Sequence, residues 1–350
     1  MVSVASNAPS MRSERALLVA AGGGIGDALL ATVVARALRA RYAQVDALVL
    51  PPHRALLERV PDVDRVFALE GSAIALERRI RSERFAAAVV TWATLRTAGI
   101  PWLAGIPLRV GQARRLYSGL FTARVVVKSE LGDRTTHWTQ ILLDYARAIG
   151  CDTADPRPCV VPALADERAA AALLRSHGVA AGFVLLHPTR GLSAHHARWP
   201  IAGFAALANT LAAREGLPLL VTGSPADAPL ANAIARAAGP LAVSIAGATS
   251  LGVFAALAQR AAYVVAMDSG PMHVAAAAGA PTVGIFALQS DEPDRWAPLG
   301  VRTAVVRASY PCPPGHRKET CPDFACVRNL NIGRILNAID AVRATAADRP

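Results

Sequence analysis

Apolar runs and helical patterns alternate along almost the whole chain. The run "ALLVAA" leads into residues 28–42, where Leu30, Val33, Val34, Ala37 and Leu38 fall at i, i+3, i+4, i+7 and i+8. That is the period of a helix with one apolar face. "DALVL", a short helix at 55–60, "RVFAL", a charged helix at 74–84 and "FAAAVVTW" continue the alternation. The strand segments are apolar at nearly every position instead of every second one. Such strands are buried on both faces, so the pattern predicts a parallel sheet with helices on either side.

The alternation stops at "CDTADPRPCVVPALADE", where proline and aspartate cluster, and this stretch reads as a linker. A second series follows: "GFVLLHP", helix 201–215, "PLLVTG", helix 229–238, "AVSIAG", helix 251–259, "YVVAMD", helix 271–278 and "TVGIF". A closing helix is expected over about 331–346. At 350 residues the chain is long for one core. The expected fold is α/β: two Rossmann-like, doubly wound parallel-sheet domains facing a cleft, at 1–160 and 161–335, with a closing helix and tail at 336–350. Ligands of such sheets bind beyond the carboxyl ends of the strands.

Composition narrows the function classes. No stretch reads as a transmembrane helix, because the longest apolar-looking run, "VAAAAGAPTVGIFAL", is broken by Gly279 and Pro281. The first ten residues lack a charged n-region and a long apolar core, so a cytoplasmic location is expected. The net charge of +11 is uneven: residues 1–150 hold 20 Lys+Arg against 12 Asp+Glu, the remainder 17 against 14. A basic first half suits an anionic partner, whether nucleic acid, phosphorylated glycolipid or membrane surface. An arginine preference for solubility gives the same balance. Aromatics at 5% are too sparse for base-stacking platforms, and no nucleic-acid-binding motif is present, so no nucleic-acid partner is expected.

The five cysteines are expected to be reduced thiols. Cys312, Cys321 and Cys326, with His316 between them, could set three thiolates and an imidazole on a metal, but no C-x-x-C pair is present. Packing thiols are the favoured reading, with no metal and no cofactor.

The chemistry concentrates in two turns. "AAGGGIGDALL" sits where a phosphate-binding loop would. A dinucleotide fingerprint needs glycine at its first, third and sixth positions. Counting from Gly22 the sixth residue is Asp27, and from Gly24 it is Leu29, so the fingerprint fails both ways. A Walker-type ending is missing too. What remains is an open turn with Asp27 at a helix start, either a catalytic carboxylate or an acid paired with the helix dipole. In "VVAMDSGPMHVAAAAGAPTVGIFA" a strand ends at Asp268, Ser269-Gly270 turn, and Pro271 suits a first helical turn. Free N–H groups there make an anion site for a diphosphate. His273 could reach the same anion, or cap and pack.

These residues carry a resemblance. "GIGDALLATVVARALRARY", "HPTRGLSAHHARWPIAGFAALANTL", "LLVTGSPAD", "IAGATSL" and "MDSGPMHVAAAAGAPTVGIFA" together resemble glycosyltransferase family nine, the ADP-heptose:lipopolysaccharide heptosyltransferases. "GIPLRVG", "THWTQILLDYARAIG" and the Cys-rich tail fit the family's order, from about Leu17 to Ile339. The resemblance implies a GT-B fold, an inverting mechanism and a nucleotide sugar held mainly by the C-terminal domain. The family's catalytic base matches Asp27, beside Gly26 in a turn that clears space for the acceptor sugar. Its diphosphate-binding threonine matches Thr189, and its Asp-Ser/Thr-Gly and His match Asp268, Ser269, Gly270 and His273. Where the family commonly carries Lys before the Trp-Pro element, this chain has Ala197, with Arg198 or Arg190 as substitute charges. The usual Phe-Gly is Phe286-Ala287, and the Thr-Asp-Pro that often follows appears as "SDEPDRW", which bears on the donor sugar near Asp291.

The implied reaction is one displacement at an anomeric carbon, with ADP-heptose as donor and an anionic glycan such as lipopolysaccharide inner core as acceptor. Asp227 is a candidate for ribose hydroxyls, or equally for helix capping. Arg109, Arg114 and Arg115, in "IPLRVGQARRLYSG", are candidates for the anionic acceptor. Peripheral contact with the inner face of the cytoplasmic membrane would follow from a glycolipid acceptor. The rival readings are a nucleotide-sugar epimerase or hydrolase on the same scaffold, and a basic nucleic-acid-binding protein.

Overall fold

The computed structural model describes residues 14–179, 182–190, 199–313 and 321–347. Two six-stranded sheets carry the chain, and all their neighbouring strands pair in parallel. The first holds β1 (Arg15–Ala20), β2 (Gln44–Val49), β3 (Val66–Ala68), β4 (Ala87–Val90), β5 (Leu108–Gln112) and β6 (Ala123–Val125). Its spatial order is β3-β2-β1-β4-β5-β6. The second holds β7 (Val184–His187), β8 (Leu219–Val221), β9 (Ala242–Ser244), β10 (Tyr263–Met267), β11 (Thr282–Phe286) and β12 (Thr303–Arg307). Its order, β12-β11-β10-β7-β8-β9, is the same winding repeated. Each sheet reverses its strand order at one crevice, between β1 and β4 and between β7 and β10, and such reversals are where doubly wound sheets bind ligands.

The continuous apolar runs now have a cause, because alternate side chains serve two cores. Leu18 and Ala20 face an inner core, while Leu17 and Val19 face an outer one beneath helices Ala73–Ser82 and Leu95–Leu103. Leu185, Val264 and Ala266 of the second sheet join that same inner core, so one apolar layer runs between the sheets. Each fully buried Leu or Val side chain contributes about 1.5–3 kcal/mol.

The pattern from 28–42 is realised as helices Ile25–Leu30 and Thr32–Leu38, meeting at Ala31. Residues 151–163 run without regular structure, but Leu164 already begins helix Leu164–Ser176, so the end of the expected linker is helical. Asp166 accepts the N–H of Ala163 at 3.0 Å and pairs with Arg59 at 2.7 Å, tying this helix to the first half. The closing helix is Ile332–Ala347. Its Ile335, Ile339 and Val342 are buried in the outer core of the second sheet, and Arg343 pairs with Glu215 at 2.9 Å. It therefore packs as a layer of the second sheet. Among the described residues no helix is long and apolar enough to cross a membrane.

Candidate functional site

The glycine turn leaves β1 at its carboxyl end and enters helix Ile25–Leu30 through Gly24. Gly23 has φ +67°, a left-handed conformation open to glycine. A Cβ on Gly22 would lie 1.9 Å from the Trp92 ring, so the missing side chain lets that indole lie against the turn. Asp27 folds back and accepts the N–H of Gly24 at 2.8 Å. Burial raises the pKa of its carboxyl, against hydrogen bonds from Gly24 and its own backbone. Asp27 lines a small recess with Ala20, Gly22, Thr91, Trp92, Trp138 and Leu142. The one side chain thus steadies the helix start and sets a partly desolvated carboxyl at the wall of this recess.

The second turn lies across from the first. Helix Gly270–Ala277 begins just beyond β10, and its first-turn N–H groups have no acceptor within the helix. Ser269 uses its hydroxyl proton on the carbonyl of Met267, at 2.8 Å, so the donors this turn leaves free are those of its backbone. A Cβ on Gly270 would lie 2.1 Å from Cγ2 of Ile25, and a Cβ on Gly26 3.2 Å from Cδ2 of His273. Gly26 and Gly270 therefore let the two halves touch, a role the sequence had not suggested. His273 is buried and its Nδ1 has no hydrogen-bond partner among the described residues. Burial, with His137 a lesser cause, lowers its pKa to about 3, so the imidazole is neutral.

Beyond β7, Thr189 Oγ1 lies 2.9 Å from His187 Nε2, and His187 Nδ1 lies 3.0 Å from Thr222 Oγ1. Arg190 is nearly fully buried, with Nη2 on both oxygens of Asp291 at 2.9 and 3.0 Å. Asp268 lies 3.9 Å from the same guanidinium. Nε and Nη1 of Arg190 are buried with no partner among the described residues, an arrangement costing about 1–3 kcal/mol per group unless an acceptor arrives.

Other expected residues stand elsewhere. Asp227 accepts both the N–H and the hydroxyl of Ser224, at 2.8 and 2.6 Å, which is the capping arrangement. Arg109 lies near the amino end of β5, where its guanidinium donates to the carbonyls of Ile106, Pro107 and Leu120. It is occupied there, about 10 Å of strand away from the carboxyl-end crevice. Arg115 pairs with Glu130 at 2.7 Å, and Arg114 is exposed in the loop after β5. Arg198, Ala197 and His316 lie outside the described residues. Cys312 is exposed, Cys321 half-buried and Cys326 buried, and no group of described residues is arranged to hold a metal.

The sequence reading missed the walls of the recess and the seam between the halves. Trp138 stacks on Trp296 with ring centroids 5.1 Å apart. His137 Nδ1 accepts from the Thr139 N–H at 3.2 Å, so its Nε2 carries the proton donated to Ala297 O at 3.0 Å. A signal was available: "THW" stood inside a segment already singled out, directly before a helical pattern.

The profile of glycosyltransferase family 9 (heptosyltransferase) matches residues 73–323. Lipopolysaccharide heptosyltransferase 2 of Salmonella typhimurium is 30% identical over 309 residues, covering 83% of this chain and 87% of the relative. The solved heptosyltransferase II of Escherichia coli shares 23% identity, covers 95% of this chain and 99% of that one, and superposes with a TM-score of 0.75. An E. coli heptosyltransferase solved with ADP shares 18% identity, covers 94% and 99%, and gives a TM-score of 0.67.

Proposed function

The chain belongs to glycosyltransferase family 9, and on that premise we propose that it is an inverting heptosyltransferase using ADP-heptose and a lipopolysaccharide inner-core acceptor. The observation that carries the mechanism is the facing of the two turns. A partly desolvated carboxylate, Asp27, lies across the Gly26–Gly270 contact from a helix N-terminus. In this reading Asp27 takes the proton of an acceptor hydroxyl while that oxygen bonds to the anomeric carbon. The bond from this carbon to the diphosphate breaks, its electron pair stays on the phosphate oxygen, and the configuration inverts. Charge building on the leaving group meets the first-turn N–H groups of Gly270–Ala277, the Thr189 hydroxyl and the two unpaired N–H edges of Arg190. These fixed donors supply the neutralisation a metal would otherwise give. A raised carboxyl pKa makes Asp27 a stronger base than an ordinary aspartate.

The names of the relatives support the donor and acceptor classes: one relative is a lipopolysaccharide heptosyltransferase 2, and one solved structure holds ADP. The acceptor side is the carboxyl-end face of the first sheet. There the exposed Leu95 and Arg96, at the start of helix Leu95–Leu103, neighbour the exposed Arg114 and Leu116 of the segment after β5, and the two are joined where the Tyr117 hydroxyl donates to Ala93 O at 2.5 Å. An apolar and cationic face of this kind suits a glycolipid at the inner surface of the cytoplasmic membrane. A donor panel assayed by diphosphate release, with and without deacylated lipopolysaccharide core, tests the proposal. Release from ADP-heptose that depends on the core is expected. Equal release without any acceptor would instead identify a hydrolase, and a changed donor sugar with no release an epimerase.

A further inference from the structure

His187 has no assigned role, yet it is buried in a chain of side-chain hydrogen bonds that ends at the candidate diphosphate site. Thr222 Oγ1 lies 3.2 Å from Leu186 O and 3.0 Å from His187 Nδ1, and His187 Nε2 lies 2.9 Å from Thr189 Oγ1. Phe254 packs T-shaped against the imidazole with 6.3 Å between ring centroids, and His187 is 7% exposed, so the imidazole is held in one place. Burial lowers its pKa to about 4, so at neutral pH it carries one proton, on either nitrogen.

Two proton arrangements satisfy the chain. In the first, Thr222 donates to Leu186 O, His187 Nδ1–H donates to Thr222, and the Thr189 hydroxyl donates inward to Nε2. Every proton is used, and Thr189 shows outward only lone pairs, which repel a phosphate. In the second, Thr222 donates to Nδ1, Nε2–H donates to Thr189, and the Thr189 hydroxyl points its proton outward. Leu186 O is not stranded by the change, because it also accepts the backbone N–H of Thr222 at 2.8 Å. The imidazole holds one proton in both arrangements, lost at Nδ1 and gained at Nε2 by exchange with water, while the two hydroxyls merely rotate.

We propose that His187 is a positioning residue whose tautomer switches when the donor diphosphate binds, turning the Thr189 hydroxyl from an inward donor into a donor to the phosphate. A diphosphate selects the second arrangement because a bond to a charged acceptor is stronger than one to a neutral imidazole. The Nε2–H behind Thr189 further polarises that hydroxyl. The inference rests on the proposed function in one respect, that Thr189 meets the diphosphate.

The direct test is nitrogen and carbon NMR of the histidine rings in the full-length protein, with the His187 signal assigned by its loss in His187→Phe. The free protein is expected to show the Nδ1–H tautomer, and the protein saturated with ADP the Nε2–H tautomer. An unchanged tautomer overturns the proposal. Calorimetry with ADP and with adenosine accompanies it. Thr189→Val should weaken ADP binding at least about tenfold, as for loss of a bond to a charged group. Thr222→Val and His187→Phe should each weaken it in the same direction, and adenosine binding should be unaffected by all three. Adding His187→Phe to Thr189→Val should cost little more, since both act through one hydroxyl. If Thr189→Val leaves ADP affinity intact, the diphosphate assignment of Thr189 itself fails. If Thr189→Val weakens binding while the wild-type tautomer stays fixed, that assignment stands and the switch falls.

Discussion

Two opposing demands meet at Asp27. Its hydrogen bond from Gly24 steadies the helix start, while burial makes the charged carboxylate less comfortable than in water. Asp27→Asn keeps an oxygen for the Gly24 N–H and removes the buried charge, so the melting temperature should hold or rise. Turnover should fall about 10²–10⁴-fold, the usual loss for a positioned base. A purely capping residue gives the reverse: stability lower by up to about 1 kcal/mol and near-normal turnover. Since the base must be ionised, the acidic limb of kcat/KM should lie above the ordinary aspartate value of about 4. A limb at or below that value would contradict the burial argument. The buried histidines act on stability instead. His187 and His273 have pKa values lowered to about 4 and about 3, against about 6.5 in an unfolded chain. Between these values the unfolded chain binds protons the folded one refuses. Their stabilisation is therefore complete above pH 6.5 and drains away as pH falls toward 4, by about 1.4 kcal/mol per pH unit for each ring. Thermal melts from pH 7.5 to 4.5 should trace this slope, and a flat profile would show the rings to be solvated.

At the scale of elements, the glycine turns matter for what they let approach. Gly270 faces Ile25 of the other half, so Gly270→Ala should force the turns apart and lower turnover at least tenfold. Ile25→Ala removes the atom that the new Cβ meets at 2.1 Å, and the double variant should recover much of the loss. If Ile25→Ala restores nothing, the glycine serves ligand approach alone. The same scale explains what could be read from the chain. Strands β1, β2, β4, β7, β10 and β11 are wholly or almost wholly buried, so their apolar runs stood out. Strands β5, β6 and β12 lie toward sheet edges and keep partly exposed charged residues such as Arg109, Arg124 and Arg307. Helix Leu95–Leu103 contains Pro101, which masked its period. Asp27 was legible because a failed fingerprint left a glycine turn ending in an acid. The setting of Arg109 was not legible, because its carbonyl partners include Leu120, on a segment that only the folded sheet brings beside it. The Trp92–Trp138 recess joins a strand end to a helix 46 residues later, beyond the reach of any local pattern.

At the scale of the whole molecule, the halves meet along a seam of aromatic and polar contacts, and the first sheet keeps a charged, exposed face of its own. Trp138–Trp296, His137–Ala297 and Arg134–Glu292, with Arg295 donating to Asp133 O, join the halves beside the site. On the carboxyl-end face of the first sheet, Arg96 and Arg114 are exposed and have no ion-pair partner among the described residues. Leu95 and Leu116 stand exposed beside them, and Arg115 ties in the Glu130 loop that carries the exposed Leu131. If this face meets an anionic membrane, each arginine near the surface is worth about 1 kcal/mol, and the attraction weakens as salt shortens the Debye length. Arg96→Ala/Arg114→Ala should therefore reduce binding to vesicles containing anionic lipid by roughly 30-fold. Wild-type binding should fall steeply between low and physiological salt, and neutral vesicles should bind the two proteins equally. Turnover on a deacylated, soluble acceptor separates the two partners this face could serve. Unchanged KM for that acceptor in the double variant assigns the arginines to the membrane. A raised KM with unchanged vesicle binding assigns them to the anionic glycan itself, and the membrane contact would then have to be sought on another surface.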